Sequence, residues 1–236
     1  RSQIPSEHII VEKSIKMLKD DGLLGLVLPD GVFNNQGELS NCPRLRNYLV
    51  KQGRVLAVVS LPDYAFRKSG AQNKTSILFF KKFNYDQRTA FENAYDAQIA
   101  NGASDEQAII AALSANPYRV FMAEANFIGY SSTGALMEKN DLYRGSAGGH
   151  LDDDQSETIL GEYRRFCVDP ENYIPALNDC IGLDICSVWN AHESHRLDPK
   201  YHLFKVQEEQ TLPEGWVSKK LSELMQRREE IVRPQE

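Results

Sequence analysis

The sequence predicts an α/β fold, the later part of a doubly wound sheet with a helical addition. Two observations carry this. Two short apolar runs, at residues 23–28 (LLGLVL) and 55–61 (VLAVVSL), have the length and composition of strands buried on both faces of a parallel sheet, and a third run, 75–80 (TSILFF), reads as a further strand. Helical patterns precede the first two runs, so the order is helix, strand, helix, strand, strand.

The first helix spans 6–20, with Ser6 as its N-cap and Ile9, Ile10, Ile15, Met17 and Leu18 as its apolar stripe. Gly22 stops it, and Pro29-Asp30-Gly31 ends the strand that follows. A helix over 44–52 leads into the second strand, which Pro62-Asp63 closes. A loop with Lys68, Ser69, Gly70 and Lys74 leads into the third. The Ala-rich stretches 87–100 and 104–115 read as a helical hairpin about Gly102, inserted on the sheet domain. Residues 118–123 are strand-like, and 127–136 complete a small hairpin. The Gly- and Asp-rich stretch 145–154 reads as a mobile loop, 155–166 as a helix, 169–183 as irregular, and 221–232 as a charged helix. The domain boundaries that follow are 1–84, 85–117, 118–195 and 196–236.

Composition narrows the function classes. Of 236 residues, 42% are hydrophobic and 25% charged, as in ordinary globular chains. The net charge of -6 argues against a small, strongly basic nucleic-acid binder, but not against a DNA enzyme with a local basic groove. Cys42, Cys167, Cys180 and Cys186 are dispersed with no C-x-x-C pair, which suits a reducing, cytoplasmic setting. No run approaches the roughly 20 apolar residues of a membrane span. His192, Glu193, His195 and Asp198 lie in a loop-like stretch with no further ligand cluster, so no metal is expected. Lys13, Lys16 and Lys19, interleaved with Glu12, Asp20 and Asp21, read as a solvated face. Residue 1 is Arg and a helix begins almost at once, so the sequence is expected to be a piece of a longer protein.

Three stretches carry a family resemblance. They are SEHIIVEKSIKMLKDDGLLGLVLPDGVFNN (6–35), LRNYLVKQGRVLAVVSLPDYAFRKSGAQNKTSILFFKK (45–82) and FIGYSSTGALMEKNDL (127–142), the last with the later ETILGEYRRF. Together they resemble the DNA-methylase subunit of type I restriction-modification systems and its single-chain relatives. The resemblance covers roughly 6–82 and 118–166, and the two-helix stretch between departs from the usual pattern. It implies a Rossmann-like, S-adenosylmethionine-dependent enzyme that methylates the 6-amino group of adenine in double-stranded DNA. It also implies a specificity subunit or fused recognition domain as partner, with a restriction subunit beyond it. The family's Gly-rich donor turn and its Asn/Asp-Pro-Pro-Phe/Tyr catalytic motif have no match in the sequence. Asn116-Pro117-Tyr118 has one proline and reads as a helix stop before a strand. This chain alone is therefore expected to be inactive, with no catalytic residue of its own.

Such enzymes flip the target nucleotide out of the duplex and hold it by stacking and edge hydrogen bonds. The resemblance places Phe66 against the flipped base; the other reading is that Phe66 packs under its own loop. Arg67, Lys68 and Lys74 either contact phosphates or belong to a solvated loop. Pro29, Asp30, Gly31, Asn34 and Asn35 follow the carboxyl end of a strand, where open α/β sheets bind ligands, so they border the expected cleft. Asp30 serves equally well as a turn residue. RLDPKYHLF (196–204) and LPEGWVSKKLSEL (212–224) resemble the opening of a target-recognition domain in specificity subunits, or else form an ordinary tail. The alternative function is a non-catalytic module for subunit interaction or DNA recognition. An uncovered sheet edge, if present, favours dimerisation or poor solubility.

Overall fold

The three apolar runs become strands of one sheet in the computed structural model, which describes residues 4–71, 73–146, 149–189, 195–211 and 217. The chain divides into two units, Arg1–Leu203 and Phe204–Glu236. In chain order the elements are α1 (Ser6–Met17), β1 (Leu23–Pro29), α2 (Gly31–Asn34), α3 (Cys42–Gln52), β2 (Gly53–Ser60) and β3 (Thr75–Lys82). Then come α4 (Tyr85–Ala100), α5 (Asp105–Ala115), β4 (Arg119–Glu124), β5 (Ile128–Tyr130), β6 (Leu136–Asn140) and α6 (Ile159–Val168). The last are β7 (Cys180–Asp184), α7 (Ile185–Val188) and α8 (Pro199–Thr211). The expected helix at 221–232, most of 212–224, and His192 with Glu193 lie outside the described residues.

The sheet order is β1-β3-β2-β4-β7. β3 runs antiparallel to both β1 and β2, so Leu78 sits opposite Leu26 on one side and Val58 on the other. β4 is parallel to β2, with Val59 opposite Ala123, and β7 is antiparallel to β4. The fold is α/β as the sequence predicts, but the sheet is mixed. The third apolar run turns back between the first two instead of continuing the winding.

Side chains alternate across the sheet. On one face Ala57, Val59, Phe121, Ala123 and Cys180 form a core with Ile159 and Phe166 of α6. The alternate residues Val58, Leu78, Val120 and Met122 are fully buried on the other face, where α3 packs on β2. β2 is thus buried on both faces, as expected. β1 is not: it is an edge strand, and Leu23, Val27 and the neighbouring Phe79 are 68%, 48% and 41% exposed. An apolar run reports side-chain character only, and Leu23 and Val27 keep much of their surface in solvent.

Helix boundaries shift where tertiary groups take over capping. Pro5, not Ser6, is the N-cap of α1, and the Ser6 hydroxyl donates to Glu7 instead. The helix stops at Met17, three residues early, because Lys82 Nζ donates to the carbonyls of Ile15 and Leu18 at 3.1 and 2.7 Å. α3 starts two residues before its expected position, with a proline in its first turn. α4 and α5 are each closed by a capping box, Asn84 with Gln87 and Ser104 with Gln107, and Gly102 makes the turn at a φ of 82°.

This hairpin is the connection that carries the chain from β3 to β4, and α5 buries Ala108, Ile109, Ala112 and Leu113. Lys51 of α3 bonds both Tyr95 and Asp105, stapling the hairpin to the helix before β2. α6 starts four residues later than expected, behind an N-cap at Thr158, because Gln155 is spent bonding the backbone of Arg144. β7 was not foreseen in the stretch 169–183. All four cysteines are free. Among the described residues no helix is long and apolar enough to cross a membrane.

Gly53, where α3 turns into β2, is fixed by close approach. A Cβ there would lie 2.2 Å from the Lys81 carbonyl oxygen and 2.5 Å from the Phe80 ring. Gly53→Ala is expected to destabilise the chain by about 1–3 kcal/mol, read as a lower urea midpoint. Gly31→Ala, whose added carbon meets nothing within 4 Å, should leave the midpoint unchanged.

Candidate functional site

Because β1, β2 and β4 run the same way, the segments after them all leave one end of the sheet. These are residues 29–35, 61–74 and 125–140. That end is where open α/β sheets bind ligands. Backbone bonds knit the three together: Asp30 N–H donates to Lys74 O at 3.0 Å, Leu61 N–H to Thr75 O at 2.9 Å, and Ala125 N–H to Ser60 O at 2.8 Å.

Residues 29–35 contain the short α2. Asp30 precedes it, and its side chain does not cap the helix. Instead Asp30 Oδ1 accepts the Ser76 hydroxyl at 2.6 Å. Burial pushes the Asp30 carboxyl above the usual carboxylate range, aided by Asp198 and Glu124 and opposed by Ser76 and Lys74. Pro29 and Gly31 flank it, half-buried; Asn34 is half-buried and Asn35 exposed, its side chain accepting Gly37 N–H at 2.8 Å.

Phe66 lies in the second segment and is 37% exposed. It borders a cavity of about 350 Å³ with Tyr130 and Leu136 from the β5–β6 hairpin. The loop and the hairpin are locked as a block: Tyr130 donates to Ala65 O at 2.6 Å, Tyr64 to Asn126 O at 3.0 Å, and the two rings meet edge-on at 6.3 Å.

The three cations have different surroundings. Arg67 faces Asp63 at 3.4 Å with both side chains well exposed, an arrangement worth little energy. Lys68 Nζ donates to Gly134 O at 3.0 Å. Gly134 has a φ of 80°, and a Cβ there would run into the Lys68 stem. Lys74 Nζ pairs with Glu124 at 2.8 Å, and both side chains are largely buried. So Phe66, Arg67 and Lys68 share one loop surface, while Lys74 faces inward as a strut between the second segment and the end of β4. Tyr130, Ser76 and Glu124 were missed, because each meets its partner only through the sheet.

His195 and Asp198 are spent elsewhere: His195 stacks on Trp189 at 5.4 Å, and Asp198 pairs with Arg196 at 2.7 Å. Among the described residues no group of three or more His, Cys, Asp or Glu is placed to hold a metal.

Residues 6–114 match the family model described as N-6 DNA Methylase. That segment is similar to the N-6 DNA methylase family over a little under half of the chain. The match runs from α1 through most of α5, so the helical hairpin, which the sequence sets apart, falls within the family's span. No curated protein matches the chain.

Three solved structures are similar to it. One, described by complex assembly and conformational transition of the type I R-M system, is 14% identical with a TM-score of 0.46, over 86% of this chain and 36% of that one. The EcoKI M protein is 14% identical with a TM-score of 0.41, over 87% of this chain and 41% of that one. A modification subunit of a putative type I restriction enzyme from Vibrio vulnificus YJ016 is 10% identical with a TM-score of 0.36, over 77% and 28%. The chain thus spans well under half the length of each.

The matched segment holds Asp30 as an acid whose proton binds more tightly in the folded chain than in the unfolded one. Its contribution to stability is therefore lost as pH rises from the ordinary carboxylate value through the raised one. Asp30→Asn keeps an acceptor for Ser76 and removes the charge. Its melting temperature at neutral pH is expected to equal or exceed that of the unsubstituted chain. In thermal melts across the acid range the two curves should converge.

Proposed function

We propose that this chain is part of a site-specific DNA adenine methyltransferase of a restriction-modification system. The parent enzyme acts in the cytoplasm and transfers a methyl group from S-adenosylmethionine to the 6-amino group of a flipped adenine. One observation supports this above the rest. In a segment that matches the N-6 DNA Methylase family model, an exposed phenylalanine stands at the carboxyl end of the sheet, beside a cavity large enough for a base.

In this reading Phe66 stacks on the extruded adenine, worth roughly 1–3 kcal/mol, which offsets much of the unstacking. Arg67 and Lys68 contact phosphates beside it. Lys74 is a poorer phosphate ligand than the sequence suggests, since a phosphate must compete with Glu124 for it. Residues 29–31, 34 and 35 border the cleft. The described residues do not fit the methyl donor: no Gly-rich turn follows a strand in the donor-site pattern, and no Pro-Pro motif supplies acceptors for the amino hydrogens. Donor binding and those acceptors belong to other parts of the parent enzyme. Its partners are double-stranded DNA, a specificity subunit or fused recognition domain, and a restriction subunit.

Incorporation of labelled methyl into mixed-sequence DNA tests the reading. The parent protein is expected to methylate adenine, and this chain alone to give only background. In the parent, Phe66→Ala should lower kcat/KM by roughly 10- to 100-fold and Phe66→Trp should restore most of it. Methylation by the parent that is insensitive to Phe66→Ala would remove the stacking role.

A further inference from the structure

α2 cannot hold its own shape. It has four residues, too few to repay helix nucleation, and its last carbonyls have no partners within the helix. Those carbonyls are satisfied from outside. Arg46, on α3, donates from Nη1 to Val32 O at 2.8 Å and from Nη2 to Asn35 O at 3.1 Å. The backbone N–H of Leu197 donates to Phe33 O at 3.0 Å. Arg46 Nε donates to His195 O at 2.8 Å, so one guanidinium joins α2 to the strap beginning at residue 195.

The strap is itself firmly seated. Leu197 is fully buried, and His195 adopts a φ of 49°, uncommon for a side chain other than glycine. The His195 ring stacks on the buried Trp189, whose indole N–H reaches Asn47, the next residue after Arg46.

Arg46 is fully buried, and burial lowers its pKa to about 10, with Cys42 and Asp198 acting against that shift. A charge in such a place is costly unless its donors are used. Here each of the three guanidinium nitrogens donates to a backbone carbonyl, and such charge-assisted bonds are among the stronger ones in proteins. A hydrophobic residue would fill the space more cheaply. What it could not do is donate to three carbonyls on two separate segments at once, which is the particular capacity of a guanidinium.

We propose that Arg46 is a positioning residue: it fixes the 29–35 border of the base cleft by capping α2 and tying it to the 195–198 strap. That this border belongs to a base cleft rests on the functional reading above; that Arg46 ties the two segments does not.

Amide hydrogen exchange on this chain, followed residue by residue, tests the tie. Arg46→Met should speed exchange roughly ten-fold or more at Phe33, Asn34, Asn35 and Leu197, while Leu78 and Phe80 in β3 stay protected. Arg46→Lys keeps the charge and the stem but cannot span three carbonyls, and should loosen the same four amides with β3 intact. If Arg46→Met does not fold, the lysine variant decides alone. Unchanged protection at these amides, loosening of only one of the two segments, or uniform loosening across β3 would overturn the proposal.

In the parent protein, Arg46→Lys should lower kcat for methylation by about ten-fold with the donor KM unchanged. A parent that shows no methylation refutes the functional reading and leaves the exchange result standing. Methylation unaffected by Arg46→Lys, with the four amides loosened, limits the tie to the fold and overturns the positioning role.

Discussion

β3 runs against both of its neighbours, and this forces β1 and β2 to point the same way. Parallel pairing of β4 with β2 adds a third strand in that direction. Three chain segments therefore leave the sheet at one end, and their backbone amides and carbonyls are close enough to bond each other. Everything at the candidate site follows from that arrangement. Had β3 lain outside β2, Asp30 and Lys74 would not be hydrogen-bonded neighbours, and Ser76 could not reach the Asp30 carboxylate.

The electrostatics of the rim are set by the same crowding. Asp30 lies within the field of Glu124 and Asp198, with Lys74 as the cation among them. Asp179 is raised too, first by burial and then by Glu124 and Asp141. The inner wall is acidic and its lysine is committed. The cationic character of the loop is carried outward, on Arg67 and Lys68, beside the exposed face of Phe66. An acidic chain can thus present a local positive surface without contradicting its net charge.

Much of the fold was legible because local signals agreed. Strands at 23–28, 55–61 and 75–80 are unbroken apolar runs between turn residues, and Ser104 and Gly102 mark the helical hairpin by chemistry that acts over a few residues. What could not be read depends on distant partners. β7 is five residues long, with two acidic residues at its margins, and becomes a strand only because β4 offers an edge. The exposure of β1 is a property of what lies beside it. Lys82 cuts α1 short from far along the chain. At the site, Phe66 and its neighbouring cations were visible as a loop, but the partner of Lys74 is fifty residues away, and Tyr130 reaches Ala65 across sixty-five. Arg46 left one trace, a charged residue beside Leu45 and Leu49 on the buried side of α3, with nothing local to say which carbonyls it serves.

The long connections also bear on how the molecule assembles. β1 meets β3 and β2 meets β4 only after chain stretches of dozens of residues have closed, and the α4–α5 connection lies inside the second of these loops. Loop closure costs entropy before any pairing returns it, so contacts of this kind slow folding. The α4–α5 hairpin, with both of its capping boxes and its turn made from nearby residues, is suited to form early and to shorten the effective span that β4 must cross to reach β2. Its place in the chain then serves the kinetics of sheet closure as much as the finished architecture.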